Sequence, residues 1–142
     1  MKYKRVLLKL SGEALAGDDG FGINPETIER IANEVSEVKS AGVEIAIVIG
    51  GGNFFRGLSA VAKGFDRVSA DQMGMLATAI NAVAITEFLK ANGIKSVMLS
   101  AENVTGFYET FSVEKANEFL DDGYVVVFGG GLGKPYFTTD TT

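Results

Sequence analysis

Neither cysteine nor histidine occurs in this sequence. The first absence excludes disulfides, thiolate metal sites and cysteine nucleophiles. The second removes the commonest general base and the commonest metal ligand. Any catalysis must therefore run on Lys, Arg, Asp, Glu and backbone N–H groups. Phosphoryl transfer is the chemistry that most readily does so, because it rests mainly on positioning and charge stabilisation. A basic excess is lacking as well: the formal net charge is −5. That argues against a general nucleic-acid or membrane-surface binder, while leaving room for a small polyanion held by local loops. The basic start Met1-Lys2-Tyr3-Lys4-Arg5 leads only into Val6-Leu7-Leu8, which Lys9 interrupts. This stretch is too short for a signal-peptide core or a membrane span, so a cytoplasmic location is expected.

What is present reads as one domain over 1–142. The 142 residues are 46% hydrophobic and 22% charged, a balance that supports a real core. Strands are expected over 5–10, 43–49, 96–99 and 124–128. Asn24-Pro25 reads as a cap followed by proline at the first helical position. Ile28, Ile31, Ala32, Val35 and Val38 then recur at helical spacing up to Gly42. A long helix is expected over 70–92, with Ser69 and Gln72 forming a capping box. It is apolar almost all round, as in a helix central to a core or buried against a partner subunit. A shorter helix over 113–120 has Ser112 as its candidate cap. Apolar strands alternating with helices predict an α/β fold: a doubly wound, mostly parallel sheet with helices on both faces in three layers. The chain stops where a helix covering the last strand is expected, so the pattern predicts part of a longer domain, truncated at its carboxyl end.

In open parallel sheets ligands bind beyond the carboxyl ends of the strands. Three loops there are rich in glycine: 10–13, 50–57 and 129–140. Glycine lets backbone N–H groups approach phosphate oxygens without a Cβ in the way. A single such loop is usually only a tight turn, and three on one edge are more specific. The familiar nucleotide motifs fail. Gly50-Gly51-Gly52-Asn53-Phe54-Phe55 lacks the third glycine of a dinucleotide fingerprint, which removes most of the case for a dehydrogenase. Gly133-Lys134 resembles the end of a P-loop, but Pro135 stands where the hydroxyl residue should be.

Lys9 ends an apolar run read as a buried strand, where a lysine is rarely placed for solubility. It reads either as a phosphate partner or as a stem lying along the core edge with its charge in water. Arg56 can fork onto a phosphate or be a solvated surface charge. Asp71, read as lying in the first turn of the long helix, complements the helix dipole or accepts from ribose hydroxyls. Asp140 orients lysines or magnesium, or caps a following helix.

Four segments together resemble the bacterial uridylate (UMP) kinase family of the amino-acid-kinase fold. They are Lys9-Leu10-Ser11-Gly12-Glu13-Ala14-Leu15, Val48-Ile49-Gly50-Gly51-Gly52-Asn53-Phe54-Phe55-Arg56-Gly57, Asp71-Gln72-Met73-Gly74-Met75-Leu76-Ala77-Thr78 and Pro135-Tyr136-Phe137-Thr138-Thr139-Asp140-Thr141. The resemblance runs in order along the whole chain and covers the amino-terminal part of the family's length. It implies transfer of the γ-phosphoryl group of ATP to UMP, with Mg2+ carried by ATP and no dedicated protein metal site. It further implies a homohexamer activated by GTP and inhibited by UTP, with the long apolar helix as the dimer-forming element. By resemblance, Lys9, Leu10, Ser11, Gly12, Gly52 and Arg56 lie on the ATP side, with Lys9, Arg56 and Asp140 as catalytic candidates. Gly51 and Asp71 would contact UMP, as would Gly131, Leu132, Gly133, Lys134, Pro135, Tyr136, Phe137 and Thr138. Gly17, Asp18, Asp19, Gly20, Phe21 and Gly22 match the stretch linked to GTP. The adenine pocket and further carboxylates are expected in a carboxyl-terminal portion outside these residues. Leu132-Gly133-Lys134 departs from the family's usual Thr-Gly-Asn, which puts side-chain contacts to UMP from 132 and 134 in doubt. The alternatives are a carbamate, acetylglutamate or aspartate kinase of the same fold, or a non-catalytic nucleotide-binding module.

Overall fold

The computed structural model describes residues 2–55, 61, 63–101 and 108–137. Among these, the chain runs β1 (Arg5–Leu10), α1 (Gly12–Ala16), a 3-10 turn (Gly17–Asp19), α2 (Pro25–Ser40), β2 (Glu44–Ile49), α3 (Arg67–Ala91), β3 (Ser96–Ser100), β4 (Glu109–Thr110), α4 (Val113–Asp121) and β5 (Val125–Gly129). The strands form one sheet in the order β1-β2-β5-β3-β4, and every pair is parallel. This is the expected α/β architecture, with helices on both faces.

The helices start where local chemistry dictates. Asn24 accepts from the Thr27 N–H at 2.9 Å and Pro25 opens α2. Ser112 accepts from the Lys115 N–H at 3.1 Å and opens α4. The long helix departs from the expected start. Its cap is Asp66, which accepts from the Ser69 N–H at 3.0 Å, so Ser69 lies inside the first turn and the Ser69–Gln72 box does not form. A carboxylate three residues upstream competes for the same donor, and the Ser69 hydroxyl also donates to it at 3.2 Å. Three small elements went unread in the sequence, one of them the 3-10 turn Gly17–Asp19. Strand β4 has only two residues, both exposed, and α1 is a single short turn capped by Ser11.

The larger core lies between the sheet and helices α2 and α3. It contains Ile28, Val35, Ile47, Ile85, Leu89, Met98, Val125 and Val127. A smaller cluster on the opposite face sets Leu99 and Val126 against Ala116 and Leu120 of α4. Alternate residues of β5 thus face opposite layers, as the period of two requires. Helix α3 is long and apolar enough to cross a membrane by length and composition alone, yet half of that stretch is buried inside this fold. Its packing marks it as the core helix of the domain. Part of it remains outward-facing: Met73, Leu76 and Ile80 are 40–50% exposed.

One premise of the sequence reading is corrected here. Strand β1 is not buried. Among the described residues it is the edge of the sheet with β2 as its only strand neighbour, and Leu7 is 62% exposed. The run Val6-Leu7-Leu8 signals a strand but not its place in the order.

Candidate functional site

Because β1, β2 and β5 lie side by side and parallel, the turns that follow them stand together at the carboxyl edge of the sheet. The contact between the first two is close. Gly50 N–H donates to the Leu10 carbonyl at 2.9 Å. A Cβ on Gly12 would stand 2.6 Å from the Gly52 nitrogen and 2.6 Å from Asn53 Oδ1. Only glycine lets these backbones approach so far. Gly51 is pressed against α3, where a Cβ would meet the Ala77 Cβ at 2.7 Å and the Gly74 carbonyl at 3.0 Å. Phe54 and Phe55 N–H groups both donate back to the Gly51 carbonyl, at 3.0 and 3.1 Å, which closes the turn after β2.

Helix α3 braces all of this. Its Thr78 hydroxyl accepts from Gly130 N–H at 2.8 Å and donates to Met75 O at 2.7 Å. The Asn81 amide donates to Gly50 O at 2.7 Å. Asp71 accepts twice from Arg67 Nε, at 3.0 and 2.9 Å, and once from the Tyr136 N–H at 2.7 Å. One helix therefore holds the turn after β2, the turn after β5 and the segment beyond it. Tyr136 has φ of 65°, an uncommon conformation for a residue with a side chain. The Arg67 guanidinium lies 5.5 Å from the Tyr136 ring centroid, within the range of a cation–π contact.

Most of the candidate residues named from sequence are brought together. Leu10, Ser11, Gly12, Gly51 and Gly52 belong to the paired turns. Lys9 is opposite Val48 in the register, one residue before the first turn, and is exposed. Gly131, Gly133, Lys134, Pro135, Tyr136 and Phe137 follow β5 toward Asp71. Leu132 lines a cavity of about 210 Å³ with Leu99, Thr110, Phe111 and Phe128. Asp71 is corrected in one respect. Because α3 begins at Arg67, Asp71 lies beyond the first turn, and its nearest charge partner is Arg67 rather than the helix end. The stretch Gly17, Asp18, Asp19, Gly20, Phe21 and Gly22 is largely exposed, but its last member reaches the site: Gly22 N–H donates to Asn53 O at 3.1 Å. Arg56, Thr138 and Asp140 lie outside the described residues.

Sequence reasoning missed Asn53, Thr78, Asn81 and Arg67. A signal for two of them existed. Thr78 and Asn81 are polar residues in an otherwise apolar helical run, and such residues, when buried, must find hydrogen-bond partners. Both are buried here, at 1% and 0% exposure. At the cap of α3 the Ser69 backbone N–H holds the Asp66 carboxyl below its ordinary range.

Comparison with known proteins agrees with this geometry. Residues 4–142 match the model of the amino acid kinase family. A uridylate kinase of Bartonella bacilliformis is 52% identical over 141 residues, covering 99% of this chain and 59% of the relative. One from Brucella abortus is 52% identical over 139 residues, covering 98% and 58%. Among solved structures, the UMP kinase of Bacillus anthracis superposes with a TM-score of 0.90 at 42% identity, covering 99% of this chain and 58% of that one. The UMP kinase of Ureaplasma parvum gives 0.87 at 33% identity, covering 96% and 60%. The chain thus spans somewhat under two thirds of the length of these relatives. A parallel sheet whose glycine turns meet at one edge, matched from residue 4 to residue 142, assigns the chain to the amino acid kinase family.

Proposed function

We propose that this chain carries the acceptor and phosphate-binding part of a UMP kinase, which transfers the γ-phosphoryl group of ATP to UMP. The observation that carries the reading is the meeting of the turns after β1, β2 and β5 at one sheet edge, braced by α3. Uridylate kinase relatives at 52% identity support it.

In this reading, the Lys9 ammonium and the N–H groups near Gly12 and Gly52 stabilise charge on the transferring phosphoryl group, with Arg56 on the same side. Gly51, Asp71 and the segment from Gly131 to Thr138 hold UMP. The acceptor is a phosphate monoester whose second pKa is about 6, so its oxygen is already ionised at neutral pH. No general base is needed, and a chain without histidine can serve. Magnesium would arrive on the phosphates of ATP. It typically binds through one or two carboxylates plus substrate phosphates and keeps several waters. Asp140 is the carboxylate proposed to attend it.

The adenine pocket belongs to the part of the fold that relatives carry outside the matched span, and residues 1–142 alone do not turn over. The exposure of Leu7 and Leu8, which point to opposite faces of β1, supports this, because a parallel sheet is ordinarily covered on both faces. The outward-facing Met73, Leu76 and Ile80 of α3 support self-association, and the hexamer is proposed from the family resemblance alone. GTP activation, UTP inhibition and a cytoplasmic location complete the reading.

Binding to the purified chain tests the substrate assignment. UMP should bind saturably, more tightly than uridine, CMP or N-acetylglutamate. Equal affinity for uridine and UMP, or a preference for N-acetylglutamate, would overturn it. Steady UDP formation by the 142 residues alone would overturn the division of labour.

A further inference from the structure

Two fully buried amides form a reciprocally hydrogen-bonded pair. Asn53 is 2% exposed and Asn81 is 0%. Asn53 Nδ2 donates to Asn81 Oδ1 at 3.0 Å, and Asn81 Nδ2 donates to Asn53 Oδ1 at 2.7 Å. Each amide then spends its second N–H on a glycine carbonyl: Asn81 on Gly50 at 2.7 Å, Asn53 on Gly22 at 2.8 Å. All four side-chain N–H donors are thus used. The Gly22 N–H returns a bond to the Asn53 carbonyl at 3.1 Å, and the Phe21 and Phe54 rings meet edge to face at 5.7 Å.

Three chain segments converge on this pair: the turn after β2, the middle of α3, and the end of the exposed stretch 17–22. A fourth, the turn after β1, is packed so closely that a methyl on Gly12 would touch Asn53 Oδ1. The two bonds between the amides could be exchanged for apolar contact of similar shape at small net cost, but the Gly50 and Gly22 carbonyls would then lose their donors. What an apolar pair cannot do is fix the carbonyls of Gly50 and Gly22 in direction.

We propose that the Asn53–Asn81 amide pair is a positioning device that sets the conformation of the Gly50–Asn53 turn and couples it to the stretch ending at Gly22. This deepens the phosphate-site reading and rests on it for its functional consequence. Its structural content stands apart from any ligand.

The test is amide hydrogen exchange on the whole chain. The probes are the Gly22, Phe54 and Phe55 amides, each hydrogen-bonded around the pair. In Asn81→Ala, these three should exchange at least about tenfold faster, and together. The Val125–Gly129 amides of β5 should keep their protection. The double variant Asn53→Leu/Asn81→Leu separates positioning from mere filling: melting temperature should recover relative to Asn81→Ala, while the three amides stay fast. Unchanged exchange in Asn81→Ala, or full re-protection in the double variant, would overturn the proposal. UMP titration of the same samples should show about tenfold weaker binding in both variants than in the wild type. If UMP binds all three equally, the functional consequence is wrong. If the wild type binds no UMP while the exchange pattern holds, the substrate reading fails and the coupling stands.

Discussion

Strands β1 and β5 both carry an apolar run, yet they live in opposite surroundings. Val125, Val126 and Val127 of β5 have no exposure, whereas Leu7 of β1 is 62% exposed and Leu8 is 38%. The difference is one of place. β5 has β2 and β3 at its edges, with α3 against one face and α4 against the other. Among the described residues β1 has β2 alone, and beside α2 it borders a cavity of about 290 Å³ lined by Val6, Leu8, Leu10, Ile31, Val35 and Val38. The consequence reaches the site. The turns after β2 and β5 are anchored to buried strands and to α3. The turn carrying Ser11 and Gly12 stands on a strand held from one side.

Substitutions can break or sharpen this contrast. The largest effect is expected from Ile47→Ala in β2, a fully buried position, where loss of core contacts should cost about 2–5 kcal/mol in denaturant unfolding. Gly12→Ala should cost about 1–3 kcal/mol, because the new methyl must displace the Gly52 nitrogen or the Asn53 amide. It should also weaken nucleotide binding more than its stability cost accounts for, which parallel titrations would reveal. Ser112→Ala removes the cap of α4 and should cost about 1 kcal/mol. Leu7→Ala at the edge should change stability by no more than about 0.5 kcal/mol. A loss there as large as for Ile47→Ala would mean that β1 is covered in solution.

A pH dependence belongs to the start of α3. The Asp66 carboxyl is held down by the Ser69 N–H. Its contribution is therefore complete above the ordinary carboxylate value of about 4 and is lost as pH falls through the lowered folded value. Comparing acid unfolding of the wild type with Asp66→Asn should show a shallower acid-side decline in the variant.

Much of this was legible in the sequence. Strands β2, β3 and β5, helices α2 and α4, and the three glycine turns follow from apolar periodicity, Asn24-Pro25 and Ser112. The order of strands was not legible, because Val6-Leu7-Leu8 looks the same at an edge as at the centre. The start of α3 was misplaced because Asp66 and Ser69 are both good caps, and only the folded geometry decides which accepts and which donates. The Asn53–Asn81 pair was illegible for a related reason: two amides 28 residues apart show their partnership only when the turn meets the helix.

The central claim is that the turns after β1, β2 and β5 form one phosphate-binding edge. Titrating ¹⁵N-labelled chain with UMP while following backbone amide resonances tests it most directly. The account predicts that Gly12, Gly51, Gly52, Gly130 and Gly131 shift together along one saturation curve, with Gly42, Gly93 and Gly123 at the opposite edge unmoved. Shifts confined to that opposite edge, or separate curves for the three turns, would contradict it.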